Sequence, residues 1–399
     1  MSLTVSSRLS RVRPSPTMAV TALAAELRAA GRDVIGLGAG EPDFDTPEHI
    51  REAAIEAIRA GRTRYTAVDG IAELREAVAE KFRRDNGLEY AADRVIVSGG
   101  AKQICYNVCQ AVLDPGDEAV IQAPYWVSYP DMVRLAAGEP VIVETDLESG
   151  FRMRPEQLEA AITPRTRLVI LNSPGNPSGA GYGRGELAAL GEVLASHPDI
   201  VVATDEIYEH IWWADEPFTS FAAACPALLE RTLTINGVSK CYAMTGWRIG
   251  YAAGPATLIG AMKKIQSQST SNACTVSQYA ALAALTGDQS CVAEMNRAFR
   301  QRHDFVVDAL NAIDGVACRP GEGTFYAFAD AREAIARLGL ADDTDLCQML
   351  LNEAGVAVVP GSAFGTPGHF RLSYACGLET LRDALGRLES ALGGRNAVT

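Results

Sequence analysis

The chain has 399 residues, 48% of them hydrophobic and 21% charged, with a formal net charge of −13 at pH 7. That length exceeds what one hydrophobic core fills, so two domains are expected. The acidic balance argues against nucleic acid or an anionic membrane as partner, since both demand basic surface, and leaves a small molecule as the expected ligand.

No stretch approaches the ~20 apolar residues of a membrane span, and the opening "MSLTVSSRLSRVRPSPT" has no apolar signal core. The expected address is the cytoplasm. Nine cysteines without a CxxC pair read as reduced, separately buried thiols. Cys105 and Cys109 lie four apart on an expected helix, but no His or acid accompanies them, so core packing is the reading and no metal site is expected.

In chain order, a helix is expected at 18–30, and "IAELREAVAEKFRRDNG" reads as a second one. There Ile71, Leu74, Val78 and Phe82 share a stripe, and Asn86-Gly87 supplies the stop. Short, nearly continuous apolar runs follow: "RVIVS" (94–98), "EAVIQ" (118–122), "RLVILN" (167–172), "IVVAT" (200–204) and "TLTIN" (232–236). Alternating with helical patterns, they predict an α/β fold with a mostly parallel central sheet flanked by helices. After residue 290 a long helical pattern precedes the strands "VACR", "TFYAF", "VAVV" and "HFRLSY" and a closing helix from 377, which is α+β texture. The expected division is a large domain at 46–290 and a smaller one made of 1–45 and 291–399.

"GLGAGEP" at 36–42 imitates a dinucleotide loop, but GxGxxG requires glycine where Glu41 stands. Walker A, HExxH and GxSxG patterns do not occur, and the five histidines show no metal spacing.

Open α/β sheets deliver functional groups at the carboxyl ends of their strands. "IVVAT" is followed by Asp205 and then Tyr208, "RLVILN" by "SPGNPSG" with Asn176, "RVIVS" by "GGAKQ" opening a helix, and "TLTIN" by "GVSK" with Lys240. A helix N-terminus of small residues (Gly99, Gly100, Ala101) suits a phosphate, and Arg248 could clamp it bidentately. A lysine forms a Schiff base with an aldehyde, and an aspartate beside a ring nitrogen keeps that nitrogen protonated. Phosphate, aldehyde and ring nitrogen together describe pyridoxal 5′-phosphate.

The stretches "LGAGEPDFDTP", "PYWVSYPDM", "NSPGNPSG", "TDEIYEH" and "NGVSKCYAMTGWRIGYAAGP" resemble, in order, those of the class I aminotransferases that depend on this cofactor, in the bacterial branch of aspartate and prephenate enzymes. The resemblance runs from about residue 8 to 392. It implies that Lys240 carries the cofactor and moves the reacting proton, that Asp205 pairs with the ring nitrogen, that Tyr208 and Asn176 bond the ring hydroxyl, and that Trp126 stacks on the ring. It also implies a phosphate cradle of Gly100, Ala101, Lys102, Ser239 and Arg248, completed by Tyr65 from the neighbouring subunit of a homodimer.

Arg371 would grip the substrate carboxylate, with the Gly40 backbone beside it and Trp126 and Asn176 also touching substrate. A helix cap at Asp205, a buried tyrosine at Tyr208, a turn at Asn176, a core aromatic at Trp126 and an ordinary strand arginine at Arg371 are the structural alternatives. Two departures stand out: Gly237 replaces the serine often found three residues before the lysine, and Pro16 replaces a common alanine. Arg13, Ser15 and Thr17 are the candidates for recognising the substrate's far end.

The expected activity is transfer of the amino group of an acidic amino acid, aspartate, to 2-oxoglutarate by a ping-pong mechanism. Action on prephenate, aromatic or neutral substrates, a β-lyase, and a noncatalytic cofactor-sensing module are the alternatives.

Overall fold

The computed structural model describes residues 3–12, 14 and 16–393; Arg13 and Ser15 lie outside the described residues. Its central sheet has seven strands: β1 Val95–Ser98, β2 Glu118–Ala123, β3 Glu139–Glu144, β4 Thr166–Asn172, β5 Val201–Asp205, β6 Thr232–Gly237 and β7 Gly250–Ala253, in the order β1-β7-β6-β5-β4-β2-β3. Strands β6, β5, β4, β2 and β3 are parallel and β7 runs antiparallel to both of its neighbours. The expected strands form because helices cover both faces of the sheet, so that nearly every position along β1, β5 and β6 is buried.

Two strands escape the sequence pattern. β3, "EPVIVE", is an edge strand with exposed glutamates at both ends, and β7, "GYAA", is short and built mainly from small residues of weak strand preference.

Parallel alignment brings the carboxyl ends of β4, β5 and β6 side by side: Asn172 lies in register with Asp205, and Asp205 with Ile235. Helix α1 is Pro16–Ala29, α2 is Glu48–Arg59 and α3 is Ala72–Asn86, which ends on Gly87 in the left-handed conformation, as the Asn-Gly stop predicts. α3 also fastens the turn after β5. Buried Lys81 pairs with Glu209, and Asn86 Nδ2 donates to Glu209 Oε2 at 2.7 Å. Asp85, Glu209 and His210 bring ligand atoms within 4.8 Å of one another, but the Lys81 ammonium already supplies the cation of this cluster.

A second, antiparallel sheet contains β8 Ala317–Cys318, β9 Tyr326–Asp330, β10 Val359–Pro360 and β11 His369–Ser373, in the order β10-β11-β9-β8. The run "VAVV" divides: Val356–Ala357 pairs in parallel with Ile35–Gly36, and Val359 begins β10. α1 reaches the same place through Ala24, which packs with Val34, Leu351 and Ala357. The long helix Ser290–Asn311 and the closing helix Leu378–Leu392 cover this sheet through Phe299, Val306, Leu381 and Leu388, in a cluster that also takes in Ile207 and Tyr208.

All nine cysteines are free, but only six are buried; Cys274 is exposed and Cys291 and Cys376 are partly so, which corrects the expectation of uniformly buried thiols. Among the described residues no helix is long and apolar enough to cross a membrane.

Candidate active site

A cavity of about 480 Å³ opens over the carboxyl ends of the parallel strands and brings together Asn176, Asp205, Tyr208, Lys240, Arg248 and Arg371. Lys240, just past β6, donates from Nζ to the Gly40 carbonyl at 2.7 Å. Burial, and then the charges of Arg248 and Arg371, pull its pKa down to about 8. An amine so tuned is available as a nucleophile near neutral pH.

Asp205 is 4% exposed. Tyr129 Oη donates to its Oδ2 at 2.7 Å, the Cys105 thiol approaches the same oxygen at 3.8 Å, and the Ile207 N–H reaches Oδ1 at 3.3 Å. Burial raises its pKa, and the bonds from Tyr129, Ile207 and Cys105 act the other way. A carboxylate held in the interior by neutral donors favours a cation placed beside it, such as a protonated ring nitrogen.

Asn172, the last residue of β4, ties the floor together: its Nδ2 donates to the Asp205 carbonyl and its Oδ1 accepts the Asn176 N–H, both at 2.9 Å. Asn176 Oδ1 in turn accepts from Arg371 Nη1 at 2.8 Å.

At the other end lies α4, Ala101–Val112, whose N-cap Gly100 has φ 96°. A Cβ on Gly100 would stand 2.5 Å from Arg248 Nη2, and one on Gly250 would stand 2.2 Å from the Ala101 nitrogen. The absent side chains leave a cradle floored by the Ala101 and Lys102 N–H groups, which a first helical turn cannot satisfy internally. Arg248 adopts the left-handed conformation, φ 59°, so that its guanidinium reaches the Thr245 and Gly99 carbonyls at 2.8 and 3.3 Å. Ser239 is buried at the cavity wall.

The departure at Gly237 has a packing cause. An added Cβ would meet Ile207 Cδ1 at 3.0 Å and Gly250 Cα at 3.1 Å, so this backbone has little room for a serine. The cradle, the lysine and the buried carboxylate together fit pyridoxal 5′-phosphate.

Arg371, on β11, is 1% exposed. It lies 4.3 Å from the Tyr326 ring centre and 4.9 Å from that of Phe364, donates from Nη2 to the Gly38 carbonyl at 2.7 Å, and leaves Nε without a partner. Gly40 stands where a Cβ would come 2.9 Å from Tyr326 Oη.

Trp126 lines the cavity edge-on to Tyr129. The Lys102 ammonium lies over the Trp126 ring, 4.9 Å from its centre, so this side chain turns along the cavity wall while its backbone belongs to the cradle. Thr17 lines the same cavity from α1. Tyr65 is 91% exposed and does not line the cavity of its own chain.

Asn172, Tyr129 and Tyr326 are the site residues that the sequence reading misses. The first two stand inside stretches that carry the resemblance, whereas Tyr326 alternates along a strand like any core aromatic.

Compared with known proteins, residues 32–388 match the family Aminotransferase class I and II. An aspartate/prephenate aminotransferase of Nitrosomonas europaea is 54% identical over 97% of this chain and 99% of its own length. An aspartate aminotransferase of Rhizobium meliloti is 51% identical over 96% of this chain and 95% of its own. Among solved structures, the aspartate aminotransferase of Rhizobium meliloti superposes with a TM-score of 0.94 at 49% identity, covering 98% of this chain and 99% of that one. The Thermus thermophilus aspartate aminotransferase with maleate gives 0.92 at 47% identity, covering 98% and 100%. The chain therefore belongs to the class I and II aminotransferases, in their aspartate aminotransferase branch, and is a pyridoxal-phosphate-dependent aminotransferase.

Proposed function

We propose that the protein transfers the amino group of aspartate to 2-oxoglutarate, in two half-reactions at the one cavity, and that it does so as a cytoplasmic homodimer. The observation that carries this reading is the pair of cations lining one cavity: Arg371, held by Asn176 and the Gly38 carbonyl, and Lys102, which has no ion-pair partner among the described residues and lies over Trp126. Two carboxylates of one substrate suit two such cations. Thr17 is the contact proposed from α1.

When bound through a Schiff base to Lys240, pyridoxal 5′-phosphate supplies an electron sink for the bond broken at the substrate's Cα. Asp205 would pair with the ring nitrogen and favour its protonated form; Tyr208 and Asn176 would hydrogen-bond the ring oxygen, and Trp126 would lie against the ring. Gly100, Ala101, Lys102 (through its N–H), Ser239 and Arg248 bind the phosphate. Arg371 receives the α-carboxylate with its planar fork, and Gly40 leaves room beside it. Lys240 Nζ, released when the amino group of an entering amino acid replaces it, would take the Cα proton and return it to the cofactor carbon on the far side of that nitrogen, acting as base and then as acid. Its lowered pKa supports that double duty.

Tyr65, exposed on its own chain, supports a second copy completing the phosphate site. A groove of about 640 Å³ that Lys102 and Arg248 also line, together with Tyr106, Met132, Leu135 and Ala273, is a surface that a second copy would cover, which supports the same assembly. The proposed domain division, 46–290 against 1–45 with 291–399, is supported by the pairing of Ile35–Gly36 with Val356–Ala357.

The relatives named for prephenate as well as aspartate make prephenate chemistry the second reading, since prephenate also carries two carboxylates. A stopped-flow panel of amino acids separates the readings. Aspartate and glutamate should bleach the cofactor's visible band within the enzyme's turnover time. If they leave it unchanged while aromatic or aliphatic amino acids bleach it, the acidic-substrate reading is wrong.

A further inference from the structure

Tyr326 has no part in the chemistry so far, yet it touches each half of the site. Its hydroxyl lies 3.1 Å from the hydroxyl of Tyr208. Its ring lies against the Arg371 guanidinium, 4.3 Å from ring centre to carbon. Its oxygen would stand 2.9 Å from a Cβ on Gly40, so the glycine of the "GAGEP" loop leaves open space beside that oxygen. Both tyrosines are buried, 1% and 3% exposed, which makes an unused hydroxyl proton costly. Either hydroxyl of the pair can donate to the other; where Tyr326 donates, its single proton has two acceptors to serve, Tyr208 Oη and a carboxylate placed on Arg371.

We propose that Tyr326 is a positioning residue whose single hydroxyl proton passes between Tyr208 and the carboxylate received by Arg371, so that filling the carboxylate site weakens Tyr208 as a donor to the cofactor's ring oxygen. This rests on the function proposed above. Hydrogen-bonded hydroxyls polarise one another, so Tyr208 donates more strongly while it accepts from Tyr326. Burial raises the pKa of both phenols. The Arg371 charge, the leading opposing influence at Tyr326, makes that residue the better donor of the two. The charged and titratable groups facing the pair are Arg371, Lys240, Glu41 and Asp205.

The test is Tyr326→Phe, which keeps the ring against Arg371, read by pH titration of the visible absorption band of the cofactor-loaded protein. Loss of one buried hydrogen bond to Tyr208 should raise the titration midpoint by about half to one pH unit. Maleate, a dicarboxylate that does not react, should raise the midpoint in the native protein and raise it less in the variant, and should bind the variant about tenfold more weakly.

A second experiment reads the geometry without turnover. Gly40→Ala should lower the thermal midpoint in the native background and be largely tolerated in Tyr326→Phe, because the atom crowding the new methyl is the hydroxyl oxygen, the next nearest being Cζ at 4.0 Å. Equal midpoints with and without the hydroxyl, an equal response to maleate, or an equal cost of Gly40→Ala in both backgrounds overturns the proposal. If the native protein develops no band with added cofactor, the proposed function falls and this inference with it. A normal band bleached by aspartate but unmoved by Tyr326→Phe removes this inference alone.

Discussion

Glu206, next to Asp205 in the chain, gives the protein a pH-dependent stability that a single substitution should remove. It is 1% exposed. Its Oε1 accepts from Thr204 Oγ1, Ser220 Oγ and the Phe221 N–H at 2.9–3.0 Å, while Oε2 has no partner. Burial first, and then the charge of Glu209, push its pKa from 4.5 to about 8. The native state therefore holds a proton that the unfolded state releases. Between pH 4.5 and about 8 the native state binds more protons than the unfolded state, so stability must fall as pH rises, and the fall is complete above the folded value.

A shift from 4.5 to about 8 at about 1.4 kcal/mol per unit gives a full swing of about 5 kcal/mol from this one group. Glu206→Gln is neutral at every pH and keeps the acceptor that the three donors need. It should sit within about 1–3 kcal/mol of native stability at pH 5, and gain on the native protein steadily toward pH 9. Urea unfolding of both proteins across that range is the assay, because other titrating groups cancel in the difference. A difference that stays constant with pH refutes the reasoning.

Three further substitutions probe other parts of the molecule. Lys81→Met leaves Glu209 buried without its cation and should cost about 3–5 kcal/mol in urea unfolding; a loss under about 1 kcal/mol would show that the clasp on the turn after β5 is unimportant. Gly100→Ala places a Cβ 2.5 Å from Arg248 Nη2 at a left-handed position, and should weaken cofactor binding at least tenfold by fluorescence titration, on the order of 1–3 kcal/mol. Arg371→Lys keeps the charge but loses the planar fork, so kcat/KM should fall about 10–100-fold while cofactor affinity stays native.

The sequence exposes the parts of this site that strand ends dictate. Lys240, Asp205 and Asn176 follow short, nearly continuous apolar runs, and parallel pairing then forces those ends together, which is why their meeting in one cavity is legible in the order of residues alone. The left-handed stop at Gly87 is legible for a similar reason: local chemistry alone decides it.

What depends on packing across distant segments is not legible. Tyr326 belongs to β9, where alternation makes it look like core, and only the approach of Tyr208, Gly40 and Arg371 distinguishes it. Lys102 announces its backbone through the small residues before it, yet the direction of its side chain is set by Trp126. Gly237 looks like a missing serine until Ile207 and Gly250 show how little space is left. β3 and β7 escape because an edge strand and a small-residue strand lack the buried β-branched run that marks their neighbours.

Whether Lys240 is the residue that bonds the cofactor is decided by borohydride reduction of the cofactor-loaded protein followed by peptide mass mapping. One stable cofactor adduct is expected, on the peptide containing Lys240, and it should disappear in Lys240→Ala together with all amino transfer. An adduct on Lys102 or Lys263 instead, or native turnover by Lys240→Ala, would contradict this assignment.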